Sequence, residues 1–183
     1  MTFCAATTAE ERAARKLGVE TVRVGVRAVN GVPAGRLVSF GLAGALHDGV
    51  AIGDVLDATR VVDASGSVLW EGPGLGVGRD ATILGSDALV HDPSERARLH
   101  AASGADAVDM ESGVLARSGQ LAGVLRAVSD DAGSTIEGVD STVHPDGRTD
   151  VVGLVKWVAV KRGDAVRSMR DALTALRVLE RVA

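Results

Sequence analysis

Short apolar segments rich in valine and leucine alternate along this chain with segments that carry helix caps and helical spacing. That alternation constrains the fold to α/β with a central sheet, because each strand needs a helix to cover its apolar face. The clearest strand is Val124-Leu125-Arg126-Ala127-Val128, closed by Ser129-Asp130-Asp131. Val22, Val24 and Val26 alternate with polar or small residues, the pattern of a half-buried strand. Arg36 to Phe40 is an apolar run predicted to end in a small-residue loop, Gly41-Leu42-Ala43-Gly44-Ala45. Val55-Leu56, Val61-Val62 and the stretch Asp106 to Met110 predict further strands. Gly72 to Gly78 holds four glycines and Pro73, which predicts a flexible surface loop.

The helices announce themselves by their ends. Thr7 or Thr8 can cap a helix with Glu10 and Glu11 in its first turn and Gly18 after its last. Asp92-Pro93-Ser94-Glu95 has the cap and the first-turn proline of a second helix, running to about Gly104. A third starts near Glu111. In the C-terminal segment Val166, Met169, Leu173, Leu176 and Leu179 recur at helical spacing, which predicts a face packed on the core. With 183 residues and no internal repeat or linker, residues 1–183 read as one domain.

Several function classes drop out on composition. A net charge of -4 provides no basic field for nucleic acid or an anionic membrane surface. Nowhere does the sequence reach the roughly 18 consecutive apolar residues that a spanning helix needs. The N-terminal segment lacks the basic and apolar regions of a signal peptide, so a cytoplasmic location is expected. Cys4 is the only cysteine, which excludes an intrachain disulfide and a cysteine-rich zinc site. His47, His91, His100 and His144 show no metal-ligand spacing, so no metal is expected. Gly74-Leu75-Gly76-Val77-Gly78 follows no clear strand and lacks the third-glycine spacing of a dinucleotide loop. No Gly-x-Ser-x-Gly elbow is present. Arg36, Arg60 and Arg79 could hold phosphate, but solvated surface arginines are the simpler reading.

What remains are carboxylates and glycines placed where α/β sheets bind ligands, outside the carboxyl ends of strands. Glu10/Glu11, Gly41–Gly44, Asp109-Met110-Glu111 and Ser129-Asp130-Asp131 all fall there. Each has an ordinary structural explanation, as a first-turn acid, an N-cap or a turn residue. Their joint placement is what marks them.

Taken in order, Gly41-Leu42-Ala43-Gly44, Gly53-Asp54-Val55, Val108-Asp109-Met110-Glu111-Ser112 and Arg126-Ala127-Val128-Ser129-Asp130 carry a family resemblance. They resemble the motifs of the purine nucleoside phosphorylase and methylthioadenosine/S-adenosylhomocysteine nucleosidase superfamily, over nearly the whole chain. His144-Pro145-Asp146-Gly147-Arg148 is similar to the hopanoid-associated phosphorylase branch. The resemblance implies a three-layer fold, with a mixed central sheet flanked by helices. It implies cleavage of the N-glycosidic bond of a purine nucleoside, adenine above all, by hydrolysis and without a cofactor. Phosphorolysis by inorganic phosphate, and a shortened member that binds a nucleoside without turnover, stay open as alternatives. A homo-oligomer, in the first instance a dimer, is implied as well.

Residue by residue, the resemblance makes Asp130 the general acid toward the purine, with Ser129 beside it. Glu111 would hold the ribose hydroxyls, and Met110 would lie against the sugar. Glu10, or otherwise Glu11, would orient the attacking water. Gly41, Leu42 and Ala43 would line the substrate. In Gly85-Ser86-Asp87-Ala88-Leu89-Val90, Leu89 and Val90 would meet the base. Aromatic residues make up only 2% of the chain, so such a pocket has to be mostly aliphatic.

Overall fold

A computed structural model describes residues 1–135 and 142–182, without the side chains of 151, 155–159, 161 and 162. The described strands are β1 (Thr2–Ala5), β2 (Thr21–Arg23), β3 (Leu37–Ala45), β4 (Val55–Val62), β5 (Val68–Glu71), β6 (Arg79–Gly85), β7 (Ala107–Asp109) and β8 (Leu121–Asp130). The helices are α1 (Thr8–Lys16), α2 (Pro93–Ser103), α3 (Ser112–Arg117) and α4 (Val151–Leu179), with a 3-10 turn at Val26–Ala28.

All eight strands join one mixed sheet in the order β2-β1-β3-β7-β6-β4-β5, and β8 pairs with both β3 and β4. β8 is parallel to β3 and antiparallel to β4. β7 in turn is antiparallel to β3 and parallel to β6, which pairs with β4. The ladder β3-β8-β4-β6-β7 therefore returns to β3, so the middle of the sheet has no free edge. Helices cover both faces. Ala13 and Ala14 of α1 and Ala175 and Leu179 of α4 pack on Phe40, Leu125 and Ala127. Leu115 and Ala116 of α3 pack on the opposite face, with Ala43, Ala58, Ile83, Val124 and Val128. β8 is buried on both sides, which is why it reads as a continuous apolar run.

The helix ends follow their caps. Thr7 and Glu10 form a reciprocal capping box at α1. Asp92 accepts from the N–H groups of Ser94 and Glu95, and Gly104 ends α2 at φ 69.

Several expectations need correction. Gly41 to Ala45 is not a loop but the second half of β3, held by β8 across Gly41 to Gly44. β2 stops at Arg23, and Val26 begins the 3-10 turn instead of continuing the strand. Val55-Leu56 and Val61-Val62 belong to one strand, β4. Gly72–Gly78 follows a strand after all and is pinned. The buried Asp57 carboxylate accepts from the N–H groups of Leu75, Gly76 and Val77 at 2.6–3.1 Å. Those N–H groups are thus spoken for by a protein carboxylate and hold no phosphate. On α4 Leu176 and Leu179 pack on the core as expected, together with Ala165 and Ala175, whereas Val166 and Leu173 point outward. No helix among the described residues is long and apolar enough to cross a membrane.

Candidate active site

β3 and β8 run side by side, with Gly41 opposite Arg126 and Gly44 opposite Asp130. Arg126 is the one charged residue in the apolar run Leu121–Val128, and it is fully buried. A buried guanidinium must be paired, or it costs several kcal/mol. Its Nη2 forms an ion pair with Asp109 at the end of β7, donates to Ser39 Oγ at 2.6 Å, and stands 3.7 Å from Glu111. Ser112 joins the same network. Its N–H donates to Asp109 Oδ1 at 3.0 Å, and its hydroxyl bridges Asp109 and Ser39.

Glu10 reaches this cluster from α1. One carboxylate oxygen closes the capping box, and the other accepts from the N–H of Leu42 at 2.8 Å. Gly41 makes the approach possible. A Cβ there would overlap the Glu10 carboxylate and stand 2.6 Å from Arg126 Nη1. Glu11, by contrast, turns away to pair with Arg15 at 2.7 Å and Arg23 at 3.3 Å. Of the two glutamates, only Glu10 faces the cluster.

Glu111 is buried and receives the backbone N–H of Arg27 at 3.1 Å. Burial pushes its carboxyl up to about 8, against the pull of Arg126 and with a further push from Asp109 and Glu10. Arg27 and Ala28 both sit at φ 54, a conformation that side chains with a Cβ rarely adopt. The strained turn brings the Arg27 N–H to Glu111 and the Arg27 guanidinium within 3.3 Å of the Asp87 carbonyl. Met110, half-buried, lies in sequence between the two buried acids.

Asp130 ends β8 just past a register shift, opposite Gly44. Ser129 Oγ donates to its Oδ1 at 2.7 Å. Its Oδ2 lies 2.5 Å from Arg96 Nη2, yet carries no aligned hydrogen bond among the described residues. Burial raises its pKa above the usual carboxylate range, opposed by Arg96 and Ser129. The segment Gly85 to Val90 comes alongside. Ser86 donates to the Asp109 carbonyl at 2.8 Å, and the Val90 carbonyl accepts from Arg96 at 2.9 Å. Leu89 is half-buried, and the Val90 side chain packs in the core with Leu46, Leu84, Leu99 and Val108.

Glu10, Gly41, Leu42 and Glu111 thus meet around Arg126 and Asp109, while Ala43, Ser129 and Asp130 meet at the end of β8, where Arg96 links Asp130 to the Val90 carbonyl. Ser39, Ser112, Arg27 and Arg96 join them without having been picked out in the sequence. Arg126 carried a signal in its position within an apolar strand. Arg96 carried none, because it sits among the charged residues Glu95 and Arg98 of a helix that reads as solvated. Arg60 and Arg79, the candidate phosphate ligands, pair elsewhere, with Glu71 at 2.6 Å and with Asp54 at 3.6 Å. No group of His, Cys, Asp and Glu able to hold a metal occurs among the described residues. What the site offers is carboxylate chemistry, with two carboxyl groups biased toward holding a proton.

The sequence matches no protein-family model and no curated protein. Solved structures do match. One is a 5′-methylthioadenosine/S-adenosylhomocysteine nucleosidase from Neisseria meningitidis in complex with methylthio-immucillin-A, at 16% identity and TM-score 0.59 over 95% of this chain and 98% of that one. Another is the futalosine hydrolase of Helicobacter pylori, at 14% identity and TM-score 0.57 over 96% of each chain. A third is an S-adenosylhomocysteine nucleosidase from Streptococcus pyogenes, at 19% identity and TM-score 0.56 over 100% of this chain and 96% of that one. The chain has the phosphorylase/nucleosidase fold.

Proposed function

We infer that this protein hydrolyses the N-glycosidic bond of a purine nucleoside, with adenine as the favoured base. The reading rests on one observation above the others. Buried Glu10 and Glu111 close around Arg126 in a nucleosidase fold, and Asp130, at the end of the same strand as Arg126, is biased toward its protonated form.

Cleavage builds positive charge on the sugar and negative charge on the departing base. Asp130 gives its proton to the purine N7, which lets the pair of electrons from the C1′–N9 bond leave with the base. Its raised pKa and its link through Arg96 to the segment ending at Val90 suit that role. Glu111 holds the ribose hydroxyls and favours cationic character at the ring, as carboxylates do in glycosidases. Glu10 takes a proton from water as the water oxygen bonds to C1′. Gly41, Leu42 and Ala43 bring backbone against the substrate, and Met110 packs on the sugar.

Water is favoured over phosphate as nucleophile by charge. The Glu10 carboxylate occupies the approach beside Gly41, and Arg126, the cation nearest to it, is already paired with Asp109. A phosphate dianion would meet a carboxylate there, beside a guanidinium already neutralised by Asp109. Free adenine is therefore expected from an adenine nucleoside at equal rates with and without inorganic phosphate. A strict phosphate requirement would make the reaction phosphorolysis, and tight nucleoside binding without base release would leave only a binding protein.

The same reading takes the active form as a homodimer. Val152, Val166 and Leu173 stand outward along one face of α4 at 64%, 58% and 52% exposure, apolar surface that a second copy would cover. Light scattering at micromolar concentration should report two chains, and a monomer there would contradict the pairing.

A further inference from the structure

Arg96 is fully buried, on a helix whose neighbouring Glu95 and Arg98 face solvent. Its guanidinium ties together three separate pieces of chain. Nη1 donates to the carbonyls of Ala45 and Asp131, both at 3.0 Å, and Nη2 donates to the carbonyl of Val90 at 2.9 Å. The same Nη2 stands 2.5 Å from Asp130 Oδ2. Only a planar fork of donors spans such a set, and a lysine ammonium cannot reproduce it. Room for the pair is built into β3: a Cβ on Gly44 would stand 2.7 Å from Asp130 Oδ2 and 3.1 Å from Arg96 Nη1.

We propose that Arg96 is a positioning residue for glycosidic cleavage, fixing the Asp130 carboxyl against the base-contacting segment that ends at Val90. The inference rests on the reading of Asp130 as the general acid and deepens it. It also gives the acid a charge partner. The groups facing Asp130 are Arg96 from α2, Ser129 and Asp131 from its own strand end, and the uncharged Ala43, Gly44 and Ala45 of β3. Burial favours the protonated acid and Asp131 adds to that, while Arg96 and Ser129 oppose it. Taking away the Arg96 charge therefore lets Asp130 keep its proton to higher pH.

Arg96→Lys and Arg96→Gln, each made alone and with Asp130→Asn, separate this role from simple packing. Arg96→Lys should lower kcat by about tenfold or more with KM little changed, and leave the alkaline limb of the pH profile in place. Arg96→Gln should lower kcat and move that limb upward by about one pH unit. Both changes should cost less than about twofold once Asp130 is Asn, since Arg96 acts through that carboxyl. Equal costs in the two backgrounds would overturn the proposal. A carboxyl-carbon NMR titration of Asp130 gives a readout free of turnover: its midpoint should rise in Arg96→Gln, and an unmoved midpoint would overturn the proposal as well. Should Arg96→Gln fail to fold, the Arg96→Lys cycle with Asp130→Asn decides. A midpoint that moves in a protein cleaving no nucleoside would sink the nucleosidase reading alone and still support the hold of Arg96 on Asp130.

Discussion

Asp130→Asn is expected to lower kcat by at least about a hundredfold while the protein stays folded and still binds nucleoside. The amide keeps the shape of the side chain but has no proton to deliver to the departing base. Positioned general acids contribute roughly 10²- to 10⁴-fold. The setting of Asp130 is what makes the role workable near neutral pH. Burial raises its pKa, Ser129 fixes one oxygen, and the other carries no aligned hydrogen bond. If Asp130 served packing alone, the variant would lose thermal stability and keep near-normal turnover in its folded fraction. Retention of more than about a tenth of wild-type kcat would end the assignment.

The second large effect couples activity to stability with opposite signs. Glu111→Gln should lower kcat/KM by about a hundredfold at pH values above about 8, where Glu111 ionises, because an amide cannot supply the negative charge that supports the growing cation, and by less at lower pH, where Glu111 is itself neutral. The same change should relieve the folded protein at alkaline pH. In the native state Glu111 holds its proton up to about 8, against an ordinary value of 4.5. Between those limits the folded chain binds a proton that the unfolded chain has released, so stability falls as pH rises. This contribution is complete below the lower limit and gone above the upper one. Urea unfolding across that window should therefore give a shallower decline for Glu111→Gln than for wild type. Asp130 contributes a residual slope of the same sign. Identical slopes would mean that the Glu111 carboxyl is not held protonated by the fold.

Sequence alone reached the parts of this structure that local chemistry decides. The caps at Thr7 and Asp92, the proline at Pro93 and the left-handed Gly104 delimit α1 and α2 within a residue or two. The doubly buried β8 is legible because both faces are apolar. The misses share a cause, which is that a distant partner decides the outcome. Gly41 to Ala45 looks like a loop because its residues are small, yet the smallness serves a strand over which Glu10 and Arg126 close. Gly72–Gly78 looks mobile until Asp57, far back in the chain, takes its N–H groups. On α4 several apolar stripes compete, and the sheet selects the one carrying Ala165 and Ala175. Arg96 is the extreme case. Nothing near it in sequence distinguishes a solvated arginine from one buried against the end of β8.

Hydrolysis at the carboxylate cluster is tested most directly by following the oxygen. The purified protein is incubated with 5′-methylthioadenosine in oxygen-labelled water without phosphate, and the products are weighed by mass spectrometry. Free adenine together with a sugar carrying one labelled oxygen is the expected result, lost when Glu10 is replaced by Gln. Unlabelled sugar phosphate formed only on adding phosphate, or intact nucleoside recovered from a protein that binds it, would contradict the account.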